Sequence, residues 1–186
     1  MLGNPFTRRG DSQMLVVGMT GVKLGERFAQ VGCAHGGRLA AVAKKVGLSG
    51  RAVAIVPDET AVERARRGAA AEGVLVEIEL APATRLPVED TAFDLVVIDD
   101  TDGFLRTMPP ADRAAAVRET LRILRPSGRV VVIGRAPRSG FGALWSREAA
   151  GPTFNAGPAL EADGYRAVRT LAERERLVFV EGIKPR

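Results

Sequence analysis

The chain has 186 residues, 46% of them hydrophobic and 26% charged, with 27 lysines and arginines against 22 aspartates and glutamates. That length, with no break in composition, predicts one domain with room for a full core. The net charge of +5 is spread over helices without an aromatic-interleaved basic stripe, which argues against a nucleic-acid partner.

Residues 1–13 read as a polar, flexible N-terminal arm, and residues 14–186 as the domain. The start, MLGNPFTRRGDSQ, lacks the apolar core of a signal peptide, and no apolar run is long enough to cross a bilayer. The expected location is therefore cytoplasmic, without membrane insertion. Met14 to Val22 predicts a short helix over the sheet. Phe28, Ala29 and Val31 then lead into a glycine-rich turn, Gly32-Cys33-Ala34-His35-Gly36-Gly37, and a helical face formed by Leu39, Ala43 and Val46. Strand, glycine turn and helix in that order make the nucleotide-binding corner of a doubly wound sheet, because glycines let backbone approach a ligand at a helix N-terminus. Cys33 is the single cysteine and His35 the single histidine. An internal disulfide is thereby excluded, a reducing cytosol is implied, and the sequence offers no metal site. Gly47 stands where a left-handed cap belongs.

Ala52 to Val56 is a short apolar run, as in a strand buried on both faces. Thr60-Ala61-Val62-Glu63 has capping-box spacing, with Val62, Ala65 and Ala69 on one helical face. Leu75 to Leu80 and Phe93 to Ile98 predict the third and fourth strands, the latter ending in Asp99-Asp100. Pro109 and Pro110 suit the first turn of a helix, and Pro126-Ser127-Gly128 turns the chain into a fifth strand, Val130 to Ile133. Gly134 to Asn155 is rich in Gly, Pro and Ser, with a helix-compatible patch at Leu144 and Trp145. A short helix around Pro158 to Asp163 precedes two strands, Tyr165 to Leu171 and Leu177 to Ile183. Their short connection permits a hairpin but not a parallel crossover.

The phrases VGCAHGGRLA, ETAVERARR, RLPVEDTAFDLVVID and RETLRILRPSGRVVVIG, together with the closing hairpin, resemble class I S-adenosylmethionine-dependent methyltransferases, in particular the small-molecule and quinone-type branch. The resemblance covers roughly Leu24 to Lys184. It implies an α/β fold: a doubly wound, seven-stranded, mostly parallel sheet whose last strand is antiparallel. It also implies S-adenosylmethionine as cofactor and a cofactor-binding set of Gln30, Gly32, Cys33, Ala34, Gly36, Val56, Pro57 and Ala83.

Several of these positions depart from the family's pattern. Gln30 stands where the family has an acid for the methionine end, and Ala34 replaces the second turn glycine. Val56 stands where an acid binds the ribose hydroxyls, and Pro82 where an aspartate meets the adenine amino group. A shifted register would bring Asp58 towards the ribose, although Asp58 also suits the start of a helix. Hydrogen bonds to charged groups contribute roughly 1.5–3 kcal/mol each, so the cofactor is expected to bind no tighter than roughly 0.1 mM. On the same resemblance, Val56→Asp restores two ribose hydrogen bonds. Asp99, at the carboxyl end of the fourth strand, is the candidate catalytic base, ahead of Asp100.

Two readings follow, and their partners are a small-molecule substrate or another protein. One is a methyltransferase acting on a small molecule. The other is a non-catalytic methyltransferase-fold subunit or binding module that has lost the cofactor. A dinucleotide-binding oxidoreductase is a third class, but it too would lack its ribose carboxylate here.

Overall fold

The computed structural model describes residues 5–136 and 155–186, with side chains from residue 12 onward. The elements run α1 (Pro5–Thr20), β1 (Arg27–Val31), α2 (Gly36–Val46), β2 (Arg51–Val56), α3 (Glu59–Glu72), β3 (Glu77–Leu80) and β4 (Phe93–Asp99). Then come α4 (Phe104–Thr107), α5 (Pro110–Ile123), β5 (Leu124–Arg135), α6 (Ala156–Ala162), β6 (Arg166–Arg174) and β7 (Leu177–Ile183). The segment with Leu144 and Trp145 lies outside the described residues.

The seven strands form one sheet in the order β3-β2-β1-β4-β5-β7-β6. The first five pair in parallel, and β7 is antiparallel to both β5 and β6. This is the expected doubly wound, mostly parallel sheet. Its strand order reverses between β1 and β4, so the carboxyl ends of those two strands open the crevice where ligands bind in open α/β sheets.

Strand alternation divides the core into two layers. Phe28, Ala54, Val56, Leu95, Val97, Val131 and Phe179 point to one face and pack with Val16 of α1, Leu39 and Val42 of α2, and Val62 and Ala65 of α3. Ala29, Val31, Ile55, Val96, Ile98, Val130 and Val132 point to the other, against Leu105, Val117, Ile123 and Leu160. Both faces of the central strands are covered, which is why they read as uninterrupted apolar runs.

Several boundaries differ from expectation. Helix α1 begins at Pro5, well before Met14. The cap of α3 is Asp58 rather than Thr60: the Asp58 carboxylate accepts the Ala61 N–H at 2.8 Å. Gly47 has φ 70° but ψ −175°, so it closes α2 outside the left-handed helical region. Strand β5 starts at Leu124, pairs with Phe93, loops out, and resumes at Arg129 opposite Leu95. Helix α4 had no counterpart in the sequence reading.

Candidate functional site

Strand β1 delivers its last residues to the crevice, and Gly32 begins the turn with φ +75°. Its N–H donates to the Ile55 carbonyl at 2.9 Å, tying the turn to β2. A Cβ on Gly32 would stand 3.2 Å from the Asp99 carbonyl oxygen and 3.3 Å from the Phe104 ring, so both conformation and space call for glycine. Gln30 is buried, and its amide Nε2 donates to the Gly32 carbonyl at 3.0 Å. The side chain at the family's acidic position is thus engaged in holding the turn. Cys33 is packed beneath it, and burial, followed by the nearby Asp99 carboxylate, pushes its thiol up to about 12. That thiol stays protonated and serves as packing.

Next to the turn lies a cavity of about 230 Å³. Gly32 and Cys33 form one wall, and Pro57, Asp58, Ala61 and Arg64 a second. Asp102, Gly103, Phe104 and Thr107, from the loop after β4 and from α4, form the third. Arg64 spans the cavity: its Nη1 reaches the Ala34 carbonyl at 3.3 Å and the Asp102 carboxylate at 3.6 Å. Of the residues singled out from the sequence, Gly32, Cys33, Pro57 and Asp58 line this cavity. Val56 is enclosed in the layer between sheet and α2/α3, Ala83 in the opposite layer, and Gly36 lies against α3. Ala34 is half-buried beside Arg64.

Asp99 is 1% exposed, with a tight set of partners. Its Oδ1 accepts from Thr101 Oγ1 at 2.7 Å, from the Thr101 N–H at 3.3 Å and from Arg38 Nη1 at 3.4 Å. Arg38, in the first turn of α2, also donates from Nη1 to Thr101 Oγ1 at 2.8 Å. Burial raises the Asp99 pKa, with Arg38 and Thr101 pulling it down. Two polar atoms of this pair, Asp99 Oδ2 and Arg38 Nε, have no hydrogen-bond partner among the described residues. Asp100 faces the other way, and its Oδ1 accepts the Leu105 N–H at 2.5 Å, which fixes α4. The sequence reading missed Arg38, Arg64 and Phe104. No sequence signal singles out Arg38, which along α2 reads as a solvated arginine.

This sheet order, with a glycine corner at its switch point, is a class I methyltransferase arrangement. The model of the family described as "Methyltransferase domain" matches residues 28–128, just over half of the chain. The chain belongs to that family, the class I S-adenosylmethionine-dependent methyltransferases. It is 39% identical over 109 residues to a 37.1 kDa protein of transposon Tn4556 from Streptomyces fradiae, covering 58% of this chain and 30% of that protein. It is also 32% identical over 115 residues to a demethylmenaquinone methyltransferase from Lactobacillus johnsonii, covering 60% of this chain and 45% of the enzyme. The chain thus spans less than half the length of these curated relatives. The crystal structure of a SAM-dependent methyltransferase from Aquifex aeolicus superposes with a TM-score of 0.75 at 21% identity, over 98% of this chain and 95% of that one. Among the described residues no helix is long and apolar enough to cross a membrane.

Proposed function

We propose that the chain binds S-adenosylmethionine in the cleft beside Gly32 and transfers its methyl group to a small organic molecule. The observation that carries this reading is the cavity at the carboxyl ends of β1, β2 and β4, in a chain whose residues 28–128 match the methyltransferase domain. The residues present fit the nucleoside end of the cofactor. Gly32 forms one wall of the cavity, and Asp58, whose Oδ1 accepts the Ala61 N–H, stands in another as the carboxylate that would take the ribose hydroxyls. Against the Asp58 and Asp102 carboxylates the walls set one cation, Arg64, 3.6 Å from Asp102, so the lining carries one net negative charge.

The bound cofactor supplies a methyl group made electrophilic by its sulfonium. What the protein contributes is orientation and a water-poor pocket, so a strong base is not required for every acceptor. Asp99, ion-paired and enclosed, is placed to position a ligand rather than to meet an acceptor from solvent. A small-molecule acceptor is supported by the demethylmenaquinone methyltransferase and by a second relative from Rauvolfia serpentina, a norajmaline N-methyltransferase that is 28% identical over 116 residues.

One observation favours the non-catalytic alternative: Val56 puts no carboxylate at the end of β2. Titration of the protein with S-adenosylmethionine and S-adenosylhomocysteine, followed by NMR, separates the two. Saturable binding with a dissociation constant of roughly 0.1 mM is expected. An absence of shifts up to several millimolar would leave the fold as a scaffold.

A further inference from the structure

A single exposed leucine needs no explanation, but several held outward at one end of a sheet do. Among the described residues five large apolar side chains are mostly exposed, and three of these collect at the amino ends of adjacent strands. Leu24 is 73% exposed in the turn before β1, Leu48 90% in the turn before β2, and Leu75 80% two residues ahead of β3. The strands are neighbours, and their registers, Arg27 beside Arg51 and Val53 beside Glu77, bring the three starts to one end of the sheet. Leu24 and Leu48 adjoin, since a Cβ on Gly47 would stand 2.8 Å from Leu24 Cδ1. The Gly25 N–H donates to the Val46 carbonyl at 2.9 Å, and the Arg51 N–H to the Glu26 carbonyl at 3.2 Å. Both turns are therefore pinned.

Charge narrows the partner. Lys23 precedes Leu24, and Lys44 and Lys45 stand in the last turn of α2 just before Leu48; they are three of the four lysines in the chain. Three carboxylates of this end are each held by a cation: Glu26 by Arg129 at 2.9 Å, Glu72 by Lys44 at 3.0 Å and Glu77 by Arg51 at 2.6 Å. The Lys23 and Lys45 ammonium groups have no carboxylate partner among the described residues. Three leucines fall well short of the about 800 Å² that each partner gives to a stable protein interface, and lysine is depleted from such interfaces. Apolar tips beside lysines fit a lipid surface instead. Leucine enters the headgroup boundary, while the long lysine stems keep their ammonium groups at the phosphates.

We propose that the amino end of the sheet adsorbs to an anionic lipid surface, with Leu24, Leu48 and Leu75 in the headgroup layer and Lys23 and Lys45 on its phosphates. The contact is made by turns and spans nothing. The cleft beside Gly32 lies at the opposite, carboxyl ends of the strands, so adsorption leaves it open to solvent. The test is sedimentation of the full chain with vesicles of phosphatidylcholine alone and of equal parts phosphatidylcholine and phosphatidylglycerol. Wild type should pellet with the anionic vesicles at low salt, stay in solution with the neutral ones, and be released at roughly 0.5 M salt. Leu24→Ser with Leu48→Ser should weaken partition at least about tenfold, and Lys23→Gln with Lys45→Gln about tenfold. All four side chains are exposed, so the melting temperature should not move. Wild type left in solution by the anionic vesicles, pelleted equally by the neutral ones, or pelleted as well after either double change would overturn the proposal. So would a wild-type dimer in light scattering that Leu48→Ser abolishes, since the patch would then be a contact between proteins.

Discussion

At the scale of single residues, Asp100 couples the site to pH. Burial pushes its pKa up to about 6, against the pull of the Leu105 N–H. A carboxyl whose folded pKa lies above its unfolded value stabilises the fold fully below about pH 4, and that contribution is lost as the pH rises through about 6. Asp99, raised by burial, acts in the same direction. Asp100→Asn keeps an acceptor for Leu105 and removes one titration. Urea midpoints at pH 4 and 6.5 should therefore fall less in the variant than in the wild type, and equal falls would assign the effect elsewhere. Val56 and Asp58 form a second pair of tests. Read from the sequence, Val56→Asp restores ribose hydrogen bonds. In the structure Val56 is 0% exposed, in the layer that holds Val62 and Ala65. An unpaired carboxylate there costs about 3–5 kcal/mol, which in a domain of this size lowers the melting temperature by about 10 °C, with no gain in affinity. A variant that melts normally and binds more tightly would return the ribose role to position 56. Asp58→Ser keeps a capping oxygen for α3, so stability should change by only a few tenths of a kcal/mol, while S-adenosylhomocysteine should bind about tenfold more weakly. Unaltered affinity would remove Asp58 from the site.

Among the elements, the contact that shapes the site is the crossing of α2 and α3. A Cβ on Gly68 would stand 2.3 Å from the Gly36 carbonyl group, and one on Gly36 would stand 2.2 Å from the Arg64 oxygen. The helices meet backbone to backbone, and the first turn of α2, with the glycine corner before it, is held against α3. In an isolated helix Gly68→Ala would gain up to about 1 kcal/mol. Here it should lose about 1–3 kcal/mol, because the overlapping atoms are backbone, and ligand affinity should fall as the corner is displaced. A variant with a raised melting temperature would show that the helices separate without strain. The parts legible in the sequence were those with a periodic signal. Phe93 to Ile98 and Leu177 to Ile183 are apolar runs between two covered faces, and both were found almost to the residue. Helix α4 was not legible, because four residues carry no period: it exists through the Asp100 carboxylate at Leu105 and the positive φ of Gly103. The α3 cap differs since Asp58 and Thr60 are both good caps, and in the structure it is Asp58 that accepts the Ala61 N–H.

For the molecule as a whole, the sheet divides into a sealed centre and open edges. Strands β1, β4 and β5 are buried on both faces, whereas β3 and β6 expose most of their residues. Arg38 was not legible at this scale for a related reason: along α2 it reads as one more solvated arginine, and only the neighbourhood of β1 and β4 in the sheet turns it inward onto Asp99. Two cavities of similar size, about 230 Å³ each, are lined by described residues. The second lies between α6 and the middle of β6 and β7, bordered by Asn155, Glu161, Arg169 and Val180, away from the switch point. Hydrogen exchange distinguishes them. Amides of Ala29, Val96, Val97 and Val131 should open only on global unfolding, at a free energy of about 5–15 kcal/mol, and those of Glu77 and Glu79 in β3 much sooner. S-adenosylhomocysteine should slow exchange over residues 57–64 and 101–107, whose stretches wall the first cavity, and should leave residues 155–161 and 168–170 unchanged. Protection that appears in the second set alone would move the ligand to the α6 side and detach the glycine corner from binding.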